Sequence, residues 1–418
     1  MLELLTPPPA DPLWDLAAAF GADTRPERLN LVLGVYRDDS GVTPVMRAVR
    51  EAEIRLAEGS ASKEYRGLSG NLAYNRAMVS LVLGTDGSEV DGRAAAVQTV
   101  AGTGALRLLA DLVRQTRPGA TVWISDPAYV NHRPIMEGAG LTVRTYRWSD
   151  PEGRADLPGM LRDLREARRD DVVLLQGCCH NPTGVDPSPE AWEALADLAE
   201  RRGWVPFVDL AYHGLGDGLD ADLRPTRMLA SRVPEMLVAV SCSKNFGLYS
   251  DRTGCAIVLG RSRQALRHAE TSLQNIARTL YSMPPEHGAA VVTAVLEDPG
   301  LRSAWRAELD AMRSRITDNR SDLAGRLRAL GHSVAAQTLA RQKGMFSTMP
   351  LTPDQMRRLR EEFAVYGTTS GRINIAGVSA HRIPYLAESV AAVLGAGRTA
   401  GAAAAEARLD AVGAAAAG

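Results

Sequence analysis

The feature that most constrains this chain is a series of short apolar runs, each stopped by Gly, Pro, Asp or Ser and separated by longer stretches of helical periodicity. "TVWISD" (121–126), "DVVLLQG" (171–177), "WVPFVDL" (204–210), "EMLVAVSCS" (235–243) and "TGCAIVLG" (253–260) read as buried strands. They are too short for core helices and rich in β-branched residues. Between them, Gly104–Gln115 and "PEAWEALADLAERRG" (189–203) carry apolar residues at helical spacing. Runs that are apolar throughout belong to strands covered on both faces. Alternation of this kind predicts an α/β fold with a mostly parallel sheet between layers of helices.

From about Pro299 the pattern changes. A single long amphipathic helix runs to Gly331, followed by strand-like "GMFSTMP", a helix over "TPDQMRRLREEFAVYG", strand-like "GRINIAGV" and a last helix to about Leu394. This predicts a second, smaller α+β domain, as a chain of 418 residues is too long for one small core. The expected organisation is an N-terminal arm and part of the small domain over 1–40, a large domain over 41–298 and the small domain over 299–395. An Ala/Gly-rich tail over 396–418 is expected to be disordered.

Charge narrows the partners. With 48 basic and 49 acidic residues the net charge is −1, which offers no electrostatic case for nucleic acid or an anionic membrane. No run of about 18 apolar residues is present to span a bilayer. The start, "MLELLTPPPADPLWDL", lacks the basic and apolar regions of a signal peptide. Four cysteines and seven scattered histidines form no disulfide framework and no metal pattern, so a cytoplasmic location and no metal are expected.

One residue then stands out. Lys244, in "VSCSKNFGLYSDR", is one of only three lysines, with Lys63 and Lys343, where arginine supplies the other 45 of 48 basic residues. An amine can shed its proton and attack a carbonyl, whereas a guanidinium stays charged. A lysine kept after an apolar strand, among Ser241, Ser243 and Gly247, suits Schiff-base chemistry next to a bound anion. Pyridoxal phosphate also needs a phosphate cradle, an anion for its ring nitrogen and donors for its phenolate oxygen. Gly102, Thr103 and Gly104 open a helix whose free N–H groups suit a phosphate. Asp209 falls at the carboxyl end of a strand, where ligands bind in such sheets, with Tyr212 three residues on.

On these and further stretches the sequence resembles the class I aminotransferases of the pyridoxal-phosphate fold-type-I superfamily, in the aspartate/aromatic aminotransferase branch. The stretches include "LGVYRDDSGVTPV", "EYRGLSGN", "GTGALR", "GCCHNPTGVDPS", "VDLAYHG", "SCSKNFGLYSDRTG", "YSMPPEHGA", "GMFS" and "SGRINIAG", and they follow the family's order from about residue 30 to 377.

The resemblance implies a seven-stranded sheet in the large domain and a homodimer with shared active sites. It implies that Lys244 forms the Schiff base and shuttles the substrate proton, and that Asp209 pairs with the pyridine nitrogen. Tyr212 and Asn181 would serve the phenolate oxygen, and Tyr129 would stack on the ring. Gly102, Thr103, Ser241, Ser243 and Arg252 would hold the phosphate, with Tyr65 reaching that of the neighbouring subunit. Arg372 would clamp the substrate α-carboxylate, with Gly34 and Asn181 beside it. Arg278 would meet a second carboxylate from across the dimer.

The implied reaction moves an amino group between aspartate or glutamate, or an aromatic amino acid, and a 2-oxo acid. Several positions depart from the family pattern. Tyr129 stands where a tryptophan is usual, Gln176 where a histidine is usual, Ala101 in place of a glycine, and Cys242 between the two serines. These departures support an alternative: elimination, replacement or C–C bond formation on another amino acid such as S-adenosylmethionine.

Overall fold

The computed structural model describes residues 2–6, 11–59, 62–84, 92–150 and 152–395, so the Ala/Gly-rich tail lies outside the described residues. The chain forms two compact units. Among the described residues, the larger takes those within 43–316 and 342–345; the smaller takes those within 2–42, 317–341 and 346–395. Sequence analysis places the change near Pro299, whereas the division falls at Ile316 and Thr317, inside the helix Pro299–Ala329. Uninterrupted helical periodicity through that point carries no sign of which body each half packs in.

The larger unit is built on seven strands: β1 (Ala94–Val100), β2 (Thr121–Asp126), β3 (Thr142–Arg147), β4 (Val172–Gln176), β5 (Val205–Leu210), β6 (Met236–Ser241) and β7 (Thr253–Leu259). Their order across the sheet is β1-β7-β6-β5-β4-β2-β3. β7 alone runs opposite to the other six strands, pairing Ser241 with Gly254 on one side and Val100 with Thr253 on the other. β4, β6 and β7 are buried along their whole length, as strands covered on both faces must be.

Helix α1 (Ala101–Thr116) follows β1 directly and packs on β6 and β7 with Leu106, Leu108, Leu109 and Val113. Burial of each such side chain contributes about 1.5–3 kcal/mol. Helix α2 (Pro189–Arg202) shows how locally its ends are encoded. The Ser188 hydroxyl accepts from the Ala191 N–H at 3.2 Å, Pro189 takes the first helical position, and Gly203 closes the helix at φ 74°.

This topology gathers chemistry at one edge of the sheet. β4 ends at Gln176, β5 delivers Asp209 in register beside it, and β6 ends at Ser241. β1 opens into α1 at the same edge, and antiparallel β7 begins there. Carboxyl ends of parallel strands are where such sheets bind ligands. The loop after β6 is anchored from below: Trp305 donates its indole N–H to the Asn245 carbonyl at 2.8 Å and stacks on Phe246 with ring centroids 4.5 Å apart.

In the smaller unit, Leu29–Asn30 pairs in parallel with Val365–Tyr366, and β8 (Phe346–Thr348) runs antiparallel to β9 (Arg372–Asn374). Helix Pro353–Phe363 starts with a capping box between Thr352 and Gln355. Val32, Ala364 and Tyr366 form a small core with Leu13, Leu16 and Phe20.

Candidate active site

Lys244 sits three residues past β6, half-buried, with its Nζ 5.0 Å above the Tyr212 ring. Burial lowers its pKa to about 8; the Asp209 carboxylate opposes that shift and Arg252 adds to it. An amine tuned this way is partly neutral near physiological pH, which an exposed lysine is not.

Asp209 is buried at the end of β5, and His132 Nε2 lies 2.9 Å from its Oδ2. An ionised carboxylate only accepts, so the imidazole donates through Nε2. His132 is wholly buried at the start of helix His132–Gly138, and its Nδ1 meets no hydrogen-bond partner among the described residues. Tyr129 places its ring edge-on to His132, with centroids 5.3 Å apart and planes at 88°. Asn181 donates from Nδ2 to the Tyr212 hydroxyl at 3.2 Å, so those two predicted partners meet.

At the start of α1, a Cβ on Gly102 would come within 3.0 Å of the Ser241 Cβ, so glycine is what lets the helix N-terminus approach β6 so closely. The Ser243 N–H donates to Ser241 Oγ at 3.2 Å, and both serines are buried. Thr103 stands exposed on the first turn of α1. The Ala101 N–H donates to the Arg252 carbonyl at 2.8 Å, which ties the helix start to the residue before β7. Arg252 itself donates from Nη1 to the Tyr249 carbonyl at 2.8 Å.

The Ala101 departure has a visible cost. Ala101 adopts φ 55°, and a Cβ at Gly254 would approach its backbone to 2.3 Å, so the chain has no room to relax there. Left-handed backbone costs an L-residue about 1–2 kcal/mol, against about 0.5–1 kcal/mol of extra unfolded-state entropy for glycine. Ala101→Gly is therefore expected to stabilise the protein by about 0.5–1 kcal/mol in urea unfolding.

The Gln176 departure can also be located, as can its buried neighbour His180, which follows the family pattern. Gln176 turns its amide onto Asn181, accepting from the Asn181 N–H at 2.8 Å and donating to the Asn181 carbonyl at 2.9 Å. His180 is buried against Trp148, with ring centroids 4.1 Å apart, and bonds Ser125 and Thr183 at 3.0 and 2.8 Å. Desolvation, aided by nearby His132, holds its pKa well below the usual value, so it is neutral.

Sequence reasoning missed His132 and the task of Gln176. The available signal for His132 was its position: a polar residue just past the carboxyl end of β2, the edge that Asp209 and Ser241 share.

The remaining predicted residues lie elsewhere. Tyr65 is 93% exposed. Arg278 is exposed in the last turn of helix α3 (Arg263–Leu280) and donates to Ser282 Oγ at 2.6 Å. In the smaller unit, Arg372 is buried with its guanidinium 4.3 Å over the Phe346 ring and donates from Nη2 to the Val32 carbonyl at 2.7 Å. Gly34 leaves the space for that ring, since a Cβ there would fall 2.5 Å from Phe346 Cζ. Asn374 holds the same loop by donating to the Leu33 and Val35 carbonyls, each at 2.8 Å.

Pyridoxal phosphate fits this donor set. There is an amine that can be neutral, a buried carboxylate, a phenol–amide pair, and a helix N-terminus kept free of a side chain beside two serines and an arginine. The fold and these groups define a pyridoxal-phosphate enzyme of fold type I.

Comparison with known proteins agrees. The family described as aminotransferase class I and II matches residues 26–390. The aromatic-amino-acid aminotransferase of Paracoccus denitrificans is 45% identical over 93% of this chain and 99% of its own. The aspartate aminotransferase of Escherichia coli is 41% identical over 94% of this chain and all of its own. The crystal structure of the Burkholderia pseudomallei aromatic-amino-acid aminotransferase, covalently bound to pyridoxal phosphate, superposes with a TM-score of 0.92 at 38% identity, covering 94% of this chain and 99% of the other. This chain belongs to the class I and II aminotransferase family, in the aspartate/aromatic branch, and is a pyridoxal-phosphate-dependent aminotransferase.

Proposed function

We propose that this enzyme exchanges amino groups between dicarboxylic or aromatic amino acids and 2-oxo acids. The observation that carries this reading is the half-buried Lys244, with its depressed pKa, above Tyr212 and electrostatically coupled to Asp209. The cofactor supplies an aldehyde carbon and a ring that takes up the electron pair released at a substrate Cα.

With the cofactor bound, Lys244 Nζ would be the group that takes and returns the proton at the substrate Cα. Asp209, oriented by His132, holds a proton on the ring nitrogen. Tyr212 and Asn181 donate to the phenolate oxygen. Gly102, Thr103, Ser241, Ser243 and Arg252 would hold the phosphate dianion, and Tyr129 would face the ring. In the smaller unit, Phe346 and the Val32 carbonyl orient Arg372 as the α-carboxylate ligand, with Gly34 in the neighbouring loop.

Tyr65 and Arg278 are exposed as residues offered to a second subunit would be, which supports a homodimer with shared sites. No helix among the described residues is long and apolar enough to cross a membrane, and we place the enzyme in the cytoplasm. Elimination, replacement or C–C bond formation is not favoured, since the full-length relatives are named as aminotransferases.

The test is an assay of aspartate, glutamate, phenylalanine and tyrosine with 2-oxo acid acceptors, following keto-acid release. Failure of all four donors would overturn the reading. Arg278→Ala should lower kcat/KM for aspartate about 100-fold, the scale of one lost charge-assisted carboxylate contact, while leaving phenylalanine within a few-fold. Equal losses on both substrates would show that Arg278 does not read the second carboxylate.

A further inference from the structure

The Gln176 amide has a partner for both its oxygen and its nitrogen, and what it does goes beyond filling space. It is buried at the last position of β4, in register with Asp209 on β5. Its amide makes two hydrogen bonds to one residue five positions on: Oε1 accepts from the Asn181 N–H at 2.8 Å, and Nε2 donates to the Asn181 carbonyl at 2.9 Å. A primary amide can satisfy a backbone donor and acceptor at once, as a second peptide group would. The Asn181 backbone is thereby held on both sides, and its side chain is aimed at the Tyr212 hydroxyl, 3.2 Å away.

We propose that Gln176 is a positioning residue: its amide clasps the Asn181 backbone and so fixes the Asn181–Tyr212 donor pair that serves the cofactor's phenolate oxygen. The inference rests on the cofactor reading above.

The physical case is one of preorganisation. Asn181 lies in a turn between β4 and α2 and outside any ladder, so without the clasp its backbone N–H and carbonyl lose the partners described here. A donor held by packing and hydrogen bonds needs no reorganisation when charge appears on the oxygen it faces. Charged groups around the turn include Asp186, which accepts from the Cys179 and His180 N–H groups, and Lys343, whose backbone N–H donates to the Gly184 carbonyl, together with Asp209 and Lys244. None of them bonds Gln176, so replacing the amide leaves their hydrogen bonds in place. His132 donates to Asp209 and takes no part in the clasp.

The test compares Gln176→Met, which keeps length and removes both hydrogen bonds, with Asn181→Ala and the double variant. Three readouts are taken on each. The first is the pH midpoint of the bound cofactor's visible absorbance, the second is kcat and KM separately, and the third is amide exchange of segment 176–184 in the cofactor-free protein. A loosened donor to the phenolate oxygen raises the midpoint, so Gln176→Met should raise it by about half a unit and lower kcat about 10-fold with little change in KM. In the double variant the midpoint should equal that of Asn181→Ala alone, because Gln176 acts through Asn181. Exchange of the Asn181 segment should quicken about 100-fold in Gln176→Met.

An unmoved midpoint, or one that adds to the Asn181→Ala shift, would overturn the proposal, as would unchanged exchange. If the unsubstituted protein showed no visible cofactor band, the cofactor reading itself would fail. Amide exchange would then still decide whether the clasp exists.

Discussion

Lys244→Arg is expected to leave no measurable amino-group transfer, a fall in kcat/KM of about 10⁴-fold or more, the upper range for loss of a positioned proton-transfer group. It should also abolish covalent attachment of pyridoxal phosphate at that position after borohydride reduction. The substitution keeps the positive charge and nearly the length, so a merely electrostatic role would survive it. What it removes is the ability to be neutral. Burial lowers the Lys244 pKa to about 8. In the cofactor-free protein, reaction of this amine with added pyridoxal phosphate should therefore rise with pH and reach half its limit near pH 8. The sign follows from chemistry: below the pKa the group is an ammonium without a lone pair, above it a nucleophile. An exposed lysine would give a midpoint near about 10.4, and that outcome would sink the account of Lys244 as a desolvated amine. Lys343 is the internal control. It forms an ion pair with Asp217, and hydrogen bonding there carries its pKa in the opposite direction, above the ordinary value.

The central strands were legible because their apolar runs are continuous, and β2, β4, β5, β6 and β7 all lie where the sequence places them. β1 and β3 were not. "AAAVQTV" has three alanines and only two β-branched apolar side chains, and "TVRTYR" carries two arginines on an edge strand that is mostly exposed. At a sheet's edge one flank meets water, and the composition loses the signature of burial. The reversed direction of β7 was hidden for another reason. Its identity as a strand is local, but its partner and direction depend on where the chain returns after Arg252. The short helix Ser333–Ala340 was likewise missed, being only eight residues long with Val334 and Leu339 as its only large apolar side chains. At the site, the residues to which we assign a chemical task of their own are those the sequence singles out: Lys244, Asp209, Tyr212 and the glycines of α1. Residues that act through another are not among them. His132 matters because of Asp209, and Gln176 because of Asn181; in each case the meaning lies in a hydrogen bond between segments that sequence spacing alone does not pair.

Asp209→Asn is expected to lower kcat/KM about 10³-fold while changing the melting temperature by only a few degrees. The two effects separate because of the geometry. His132 Nε2 can still donate to the asparagine Oδ1, so the buried hydrogen bond survives and the fold keeps its partner at 2.9 Å. The negative charge does not survive, and with it goes the anion we propose would keep the ring nitrogen protonated. Loss of one preorganised charged group at a site of this kind costs about 10²–10³ in rate, and cofactor affinity should fall alongside it. Asp209→Ala supplies the contrast. It strands the His132 N–H in the interior, and an unsatisfied buried donor costs about 1–3 kcal/mol of stability in addition. A third readout ties the two ends of the site together. The Asp209 carboxylate raises the Lys244 pKa against the larger effect of burial. Removing that charge should therefore carry the pH midpoint for reaction of Lys244 in the cofactor-free protein below about 8. If kcat/KM fell less than about 10-fold and the midpoint stayed put, Asp209 would be a structural partner of His132 and the ring nitrogen would have no anion at this strand end.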